Sequence, residues 1–216
     1  TFGLPINLEE LINVCEKYGL DVVEDAAESL GSYYKGKHTG TFGLLGTLSF
    51  NGNKTITTGG GGMIITNNEA LAKKAKHITT TAKIPHRWDF EHDMRAYNYR
   101  RPNLNAALGC AQMESLPGFI ENKRELAAAY QNFFKDKLLQ FISEPKETTS
   151  NYWLNALILS NLEERNAFLE ETNDNGIMTR PIWKLMNHLS IYGSAQTGNL
   201  ENAMWLEERV VNIPSS

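Results

Sequence analysis

The chain has 216 residues, of which 41% are hydrophobic and 21% are charged, and its formal net charge is −4. This composition is ordinary for a globular protein with one large domain or two modest ones. No block of Lys and Arg indicates a nucleic-acid partner, and no run of about 18 apolar residues predicts a membrane span. The two cysteines, Cys15 and Cys110, lie in helical patterns and are interpreted as buried thiols, which favours a reducing cytoplasm.

The first half of the chain alternates between helix and strand patterns, which favours an α/β layer structure. The first helix has the clearest start, because Asn7 is a good N-cap and Glu10 follows three residues later as in a capping box. Gly19 ends that helix. The elements that follow are a short buried strand at 21–24, a hairpin at 33–38, strands at 47–50 and 63–66, and a helix from the cap Asn67-Asn68 to about His77.

The second half contains longer helical patterns. A helix that includes Leu104 is predicted to break or kink at Pro117-Gly118, because proline lacks the amide hydrogen that the helical ladder uses. The elements after that point are a second helix, an apolar strand at 152–159, and helices at 162–173 and 200–210. We place a domain boundary near Pro117, with a large α/β domain at 1–116 and a smaller α+β domain at 117–216.

One lysine stands in an uncharged, glycine-rich stretch directly after an apolar strand. The stretch reads Ser49-Phe50-Asn51-Gly52-Asn53-Lys54 and reaches four consecutive glycines at 59–62. Desolvation or a nearby cation lowers the pKa of a lysine amine and makes it useful for Schiff-base chemistry. Ser49 can bind an anion beside it, and the glycines let backbone approach a bulky ligand.

Carboxylates follow the predicted strand that contains Val22-Val23. The sequence there is Glu24-Asp25-Ala26-Ala27-Glu28, and ligands of open α/β sheets bind at this carboxyl end of the strands. The small alanines leave room for a flat ligand, and a carboxylate can pair with a protonated heterocyclic nitrogen. An acid, a phosphate-binding serine and an amine nucleophile are the parts that pyridoxal phosphate (PLP) requires.

Seven stretches together resemble one family. They are residues 2–5, 24–31, 49–62, 97–100, 102–109, 205–209 and 212–216. Each is weak alone, but their order and spacing resemble the DegT/DnrJ/EryC1/StrS family of PLP-dependent sugar aminotransferases over nearly the whole chain. The most similar branch makes 4-amino-4,6-dideoxy sugars from nucleotide-linked 4-ketosugars, as in the legionaminic acid pathway. The resemblance implies an aspartate aminotransferase-like fold (fold type I).

The resemblance also implies roles for individual residues. Lys54 is implied to be the Schiff-base lysine and the acid/base catalyst. Asp25 is implied to pair with the pyridine nitrogen of the cofactor, and Ser49 to hold its phosphate. Glu28 lies where it would approach the ring oxygen of the cofactor or the substrate. Asn98 resembles a residue that reaches the cofactor phosphate of a partner subunit, which implies a homodimer with shared active sites.

Three further residues are implied as substrate contacts. His86 and Trp88 fall in a stretch that the resemblance places near the sugar nucleotide. Arg180 offers a planar fork that suits a carboxylate or a diphosphate. The chain departs from the family pattern at Arg95-Ala96 and at Arg101, which flank Asn98.

Plainer interpretations stand beside these. A serine five residues before a lysine arises easily by chance, Asp25 after a strand is often a turn former, and Arg180 also suits a surface salt bridge. The segment 86–93 holds two histidines and three carboxylates, a composition more typical of a solvated turn than of a metal site, so no metal is predicted.

The resemblance further implies that relatives have a long segment before the position of Phe2, which supplies part of the cofactor cradle and several strands of the sheet. The end at Ser216 looks premature as well. The 216 residues are therefore expected to correspond to the second half of the large domain plus most of the small one.

Three functions remain open. The first is an aminotransferase that moves an amino group from glutamate to a nucleotide-linked 4-keto-6-deoxy sugar in bacterial surface-glycan biosynthesis. The second is a dehydratase of the same family, against which Lys54 argues because those relatives carry histidine at its position. The third is an inactive remnant that serves as a binding or oligomerisation module, because missing strands would leave a bare sheet edge and apolar surface.

Overall fold

The computed structural model describes residues 1–216 as a mixed α/β fold. The helices are α1 (Leu8–Lys17), α2 (Glu69–Thr79), α3 (Asn103–Phe134), α4 (Leu162–Asp174) and α5 (Glu201–Glu207), with short 3-10 turns at Met186–His188 and Ser190–Tyr192. The strands are β1 (Val23–Asp25), β2 (Tyr33–Tyr34), β3 (Lys37–His38), β4 (Leu45–Ser49), β5 (Gly62–Ile65), β6 (Gln140–Phe141), β7 (Thr148–Thr149), β8 (Asn155–Ile158), β9 (Arg180–Pro181) and β10 (Val210–Ile213). No helix is both long and apolar enough to cross a membrane.

The chain forms two compact units. The first contains Thr1, Gly3–Glu121 and Glu144–Asn151, and the second contains Phe2, Asn122–Ser143 and Tyr152–Ser216. The domain boundary placed between residues 116 and 117 stays a prediction.

The first unit is built on a three-stranded sheet in the order β1-β4-β5. Strand β1 pairs in parallel with β4, and β4 pairs antiparallel with β5. A smaller sheet, in the order β3-β2-β7, brings residues 148–149 beside the hairpin. The parallel pair sets the carboxyl ends of β1 and β4 at one edge, as expected for a ligand-binding sheet.

Local signals in the first unit are confirmed. The Asn7 side chain accepts a hydrogen bond from the Glu10 amide at 3.2 Å and donates one to the Glu10 carboxylate at 3.0 Å. The predicted hairpin turns at Lys35 and Gly36, whose φ angles are 48° and 77°. Two successive positive φ angles match the twist of the flanking strands, and this explains the tight connection.

The strand predicted at 21–24 forms, but its burial was predicted wrongly. Strand β1 lies at the edge of its sheet, where Val23 is 60% exposed and Glu24 is 8% exposed. The side chains alternate between the two faces. The Glu24 carboxylate can lie on the inner face of the sheet because backbone amides donate hydrogen bonds to it there, as described below.

Two helix boundaries also differ from the predictions. Helix α3 continues through Pro117, so the predicted break does not occur, and the alternative of a kink stays a prediction. A proline inside a helix costs about 3 kcal/mol, and burial of Leu116 and Ala127 on the same helix offsets this cost. The helix predicted to reach residue 210 ends at Glu207, because the fully buried β-branched pair Val210 and Val211 belongs to the next strand.

The cysteines are less buried than predicted. Cys110 is exposed on α3, Cys15 is half-buried on α1, and neither forms a disulfide. Cys15 lies on the more buried face of α1 together with Leu8 and Ile12, but that face is only partly covered, whereas Cys110 lies on the exposed face of α3.

The core of the first unit includes residues of the loop that carries Lys54. It is formed by Ala26, Leu48, Phe50, Ile56 and Leu116, with Leu30, Ile65 and Ile120 packed against it. Two of these residues, Phe50 and Ile56, flank Lys54 in the sequence. The loop that carries the lysine is therefore anchored by apolar burial on both sides.

The second unit is built on an antiparallel sheet in the order β6-β8-β10-β9. Strands β8 and β10 pair over four residues, and Leu157, Val210 and Val211 are fully buried within this unit. The polar residue Asn155 is also buried on β8.

Burial of Lys123 predicts a pH dependence of stability in the alkaline range. Its Nζ donates to the Ser215 carbonyl at 2.9 Å and to the Trp153 carbonyl at 3.4 Å. Burial lowers the pKa of this ammonium from its ordinary 10.5. Between the lowered pKa and 10.5 the unfolded chain binds more protons than the folded chain, so the free energy of unfolding rises with pH in that window.

Urea denaturation between about pH 8 and about pH 10 measures this slope. We expect a steeper rise for the parent protein than for Lys123→Met, which removes the titrating group. Equal slopes for the two proteins would contradict the assignment.

Candidate active site

The parallel pair of strands β1 and β4 positions two of the predicted cofactor residues. Asp25 ends β1 opposite Thr47 of β4, and Ser49 ends β4 two residues further along. The Asp25 carboxylate is exposed and accepts a hydrogen bond from the Ala27 amide at 3.1 Å. The half-buried Ser49 hydroxyl accepts one from the Asn51 amide at 3.4 Å. A carboxylate and a hydroxyl therefore lie together at the carboxyl ends of the two parallel strands.

The connection between β4 and β5 carries Lys54. Its two ends are held together by hydrogen bonds from the Phe50 amide to the Gly61 carbonyl at 2.9 Å and from the Thr58 amide to the Phe50 carbonyl at 3.0 Å. The Lys54 amide donates to the Asn51 carbonyl at 3.1 Å. The glycines at 59, 60 and 61 all have positive φ, which a side chain rarely permits, so the tight return into β5 needs them.

Lys54 forms an ion pair with Glu28. The lysine Nζ donates to the Glu28 Oε1, and the two side chains are 13% and 27% exposed. Glu28 was predicted to approach the cofactor ring oxygen or the substrate, and the structure places it against the lysine amine. Sequence spacing did not indicate this pair, because the two residues are 26 positions apart on different loops.

The donor set at this edge fits PLP. Asp25 supplies a carboxylate suited to a ring nitrogen, Ser49 a hydroxyl suited to a phosphate, and Lys54 a primary amine suited to an aldehyde. Asp25 and Glu28 also border a cavity of about 210 Å³. The small side chains of Ala26 and Ala27 follow Asp25 and leave its carboxylate accessible.

Glu24 is a structural residue beside the site that the sequence did not reveal. Its buried carboxylate accepts hydrogen bonds from the amides of Gly40, Phe42 and Gly43 at 2.6, 2.6 and 2.7 Å. A Cβ at Gly46 of β4 would lie 2.0 Å from the Gly40 carbonyl oxygen. The 40–43 turn is thus packed against β1 and β4, and it fixes the strands that present Asp25 and Ser49.

Arg101, a departure from the family pattern, holds the glycine-rich loop. One guanidinium nitrogen donates to the Thr58 hydroxyl at 3.0 Å and another to the Gly62 carbonyl at 2.9 Å. The guanidinium lies 4.5 Å from the centre of the Phe50 ring. These contacts join the start, the middle and the end of the loop that carries Lys54.

Replacing Arg101 by methionine is expected to lower the free energy of unfolding by about 1–3 kcal/mol, because two charge-assisted hydrogen bonds are lost. Urea denaturation measures the change. The exposed Arg95 lies on the same segment, and Arg95→Met is the matched control, expected within about 0.5 kcal/mol of the parent protein. A change at Arg101 no larger than at Arg95 would contradict the role as a loop clamp.

A second group of predicted residues borders an open groove of about 450 Å³ in the same unit. Asn98 and His86 line this groove together with Arg100, Lys83, Thr80, Thr81 and Pro85. The backbones of Asn98 and Thr80 form an isolated antiparallel bridge. The groove therefore combines two cations with amide and hydroxyl groups, which suits an anionic ligand.

The two remaining predicted contacts, Trp88 and Arg180, do not line this groove. Trp88 is 67% exposed and packs edge-on against the His86 ring, with the ring centres 5.2 Å apart. Arg180 is exposed on β9 in the second unit, where it lies opposite Asn212 of β10. Their roles in substrate binding stay predictions.

The histidines and carboxylates of segment 86–93 make contacts within the protein. Asp93 pairs with His77 at 2.7 Å, and the His92 Nδ1 lies 2.6 Å from the Thr81 carbonyl oxygen. The His86 Nδ1 accepts a hydrogen bond from the Asp89 amide at 2.9 Å. No group of three or more metal-binding side chains is present in residues 1–216.

Comparison with known proteins decides the family. The model of the DegT/DnrJ/EryC1/StrS aminotransferase family matches residues 1–216. The chain belongs to this family. The resemblance inferred from the seven stretches is thereby confirmed.

Similar curated proteins are longer than this chain. It is 37% identical over 216 residues to a GDP-perosamine synthase of Escherichia coli O157:H7, covering 99% of this chain and 58% of that protein. It is also 37% identical over 195 residues to the putative pyridoxal phosphate-dependent aminotransferase EpsN of Bacillus subtilis, covering 90% of this chain and 50% of that protein. The chain therefore spans between half and three-fifths of the length of these relatives.

Solved structures confirm the predicted fold class. The aminotransferase TlmJ from Streptoalloteichus hindustanus matches with a TM-score of 0.92 and 26% identity, over 99% of this chain and 58% of that one. The E. coli GDP-4-keto-6-deoxy-D-mannose-3-dehydratase with bound hydrated PLP matches with a TM-score of 0.89 and 25% identity, over 99% of this chain and 61% of that one. Aminotransferases and a dehydratase thus share this fold, so only the residues of the site can distinguish the two activities.

Proposed function

We propose that the protein is a PLP-dependent aminotransferase that moves an amino group from glutamate to a nucleotide-linked 4-keto-6-deoxy sugar. The observation that carries this proposal is the Lys54 amine, which is paired with Glu28, on loops that directly follow the strand ends that present Asp25 and Ser49. Membership of the aminotransferase family and the relative named GDP-perosamine synthase support it.

Each residue of the site has a separate role in the proposed reaction. PLP, when bound, supplies an electron sink that makes a proton next to the transferred nitrogen acidic. Lys54 Nζ takes up and returns that proton, acting as general base and then as general acid. Glu28 Oε1 accepts a hydrogen bond from Nζ and so orients the amine. Asp25 would keep the cofactor ring nitrogen protonated, and Ser49 would hold the phosphate.

The electrostatics of the groove beside Asn98 support a nucleotide-linked substrate. Lys83 and Arg100 border it, and their charges complement a diphosphate. We propose guanosine diphosphate as the carrier, since relatives are named for GDP-linked sugars. His86 and Trp88 are proposed to contact the sugar nucleotide, and Arg180 a carboxylate or the diphosphate.

The wider setting is also part of the proposal. Asn98 is proposed to reach the cofactor phosphate of a partner subunit, so that a homodimer shares its two active sites. The cysteine thiols fit the reducing bacterial cytoplasm, where amino sugars for surface glycans would be made.

A second candidate function is a non-catalytic module that self-associates. Two apolar side chains of β5, Met63 and Ile64, are half exposed and line a groove of about 710 Å³. Exposed apolar surface on a sheet favours association with another chain. The dehydratase is less favoured, because Lys54 provides the amine that an aminotransferase needs.

Cofactor capture by the purified protein tests the proposal. After incubation with PLP, we expect a visible absorption band and, after borohydride reduction, a cofactor adduct on the peptide that contains Lys54. Added glutamate and a GDP-linked 4-keto-6-deoxyhexose should then yield 2-oxoglutarate and an amino sugar, both measured by mass spectrometry. No adduct on Lys54 at millimolar PLP would overturn the enzyme proposal, and an oligomer without adduct would favour the second candidate.

A further inference from the structure

A buried asparagine connects the two loops that carry the ion pair. Asn151 is fully buried in the first unit, two residues after the end of the strand β7, which pairs with β2. Its Nδ2 lies 2.9 Å from the Glu28 carbonyl oxygen, 2.9 Å from the Leu30 carbonyl oxygen and 3.2 Å from the Thr55 hydroxyl. One side-chain amide therefore holds the backbone of Glu28 and the neighbour of Lys54 at once.

The asparagine is itself fixed in place. Its backbone amide donates to the Ser32 hydroxyl at 2.9 Å, and that hydroxyl donates to the Gly3 carbonyl at 2.7 Å. The hydroxyl of Ser150 donates to the same carbonyl at 3.1 Å. Both serines are fully buried. Buried polar networks of this kind are rigid, because breaking one bond leaves polar groups without water.

The ion pair joins the two side-chain ends but does not by itself fix the loops that carry them. The side chains of Lys54 and Glu28 are long and have several rotatable bonds, so the pair could also form if the backbone of either loop shifted. A hydrogen bond in a buried setting defines a position more sharply, because its loss leaves groups unsatisfied. The hydrogen bonds from Asn151 fix the Glu28 carbonyl and the Thr55 side chain, and so restrict the backbone that carries both charged residues. The ends of the Lys54 and Glu28 side chains can then meet only within a narrow range of positions.

We propose that Asn151 is a positioning residue for the Lys54–Glu28 pair, acting through the Glu28 carbonyl and the Thr55 hydroxyl. The role for catalysis rests on the proposed function, whereas the positioning itself does not depend on the cofactor. Asparagine suits the task because its planar amide carries two hydrogens that can be shared among the three acceptors. An aspartate of the same shape would present an oxygen to two carbonyls and repel them.

Thr55 offers a matched pair of variants that leaves Asn151 in place. Thr55→Val removes the hydroxyl at nearly constant volume, and Thr55→Ser keeps it. The first readout needs no cofactor: it is the rate of Lys54 acetylation by acetic anhydride, measured by peptide mass spectrometry. The rate at Lys73, which is exposed on α2, is the internal reference. We expect Thr55→Val to raise the Lys54 rate about threefold to tenfold relative to Lys73, and Thr55→Ser to match the parent protein.

The second readout is the dissociation constant for PLP, followed by the visible band. Thr55→Val is expected to weaken binding by a similar factor and Thr55→Ser to restore it. Asn151→Asp is expected to change both readouts in the same direction, and it decides the question if Thr55→Val loses its far-ultraviolet circular dichroism. Unchanged acetylation at Lys54 in a folded Thr55→Val or Asn151→Asp protein would overturn the proposal. Altered acetylation without any PLP uptake by the parent protein would confirm the positioning and refute only the enzymatic function.

Discussion

Replacing Lys54 by alanine is expected to abolish borohydride-stable attachment of PLP and to reduce amino transfer by at least about 10²- to 10⁴-fold. Nζ is the only atom of this side chain that can take up and return the proton, so its removal eliminates the acid/base step itself. Lys54→Arg keeps a positive charge that can pair with Glu28, but its guanidinium stays protonated. We therefore expect Lys54→Arg to be as inactive as Lys54→Ala.

Peptide mapping after borohydride reduction and the release of 2-oxoglutarate from glutamate measure these effects. Lys73→Ala is the matched control, because Lys73 is an exposed lysine paired with Glu69 at 2.7 Å on α2. It should keep the adduct and the activity of the parent protein. A full adduct in Lys54→Ala would mean that another amine carries the cofactor.

Replacing Glu24 by alanine is expected to lower the free energy of unfolding by about 3–5 kcal/mol. The substitution leaves the amides of Gly40, Phe42 and Gly43 without their acceptor, and each such amide that is shielded from water costs about 1–3 kcal/mol when its partner is removed. Glu24→Gln keeps one carbonyl oxygen but turns an amide group toward the donors, so an intermediate loss is expected.

Urea denaturation monitored by circular dichroism gives these values. Glu69→Ala removes a carboxylate from the surface of α2 and should stay within about 0.5 kcal/mol of the parent protein. A loss at Glu24 below about 1 kcal/mol would show that water replaces the carboxylate at these amides.

Features coded by neighbouring residues were predictable from the sequence. The cap at Asn7, the hairpin turn at Lys35 and the cap of α2 at Asn68 all depend on contacts within a few positions. The placement of the candidate residues near strand ends was also apparent, because Asp25 directly follows one strand pattern and Lys54 lies in the loop after another. Chemistry that depends on residue type and strand ends can be inferred from one sequence.

Contacts between distant positions were not predictable. Glu24 reads as one of several acids after a strand, and only the fold brings three amides to it. Arg101 looked like a departure from a pattern, although it holds the loop of Lys54. At Pro117 the local preference for a helix end was outweighed by burial of residues on both sides of it. At Val210 the helical pattern was extended too far, although the β-branched pair Val210 and Val211 favours the strand that forms.

The place of Asn151 in the chain has a consequence for biosynthesis. Its side chain contacts Glu28 across 123 positions and Thr55 across 96. A ribosome makes the chain from its amino end, so Lys54 and Glu28 both emerge long before the residue that ties them together. Nascent chains that stop before residue 151 would contain Glu28, Lys54 and Thr55 and still lack the buried amide that is proposed to hold their backbone. If Asn151 has this role, the alignment of Lys54 and Glu28 is completed only after residue 151 has been made, and termination before that residue would leave the pair without it.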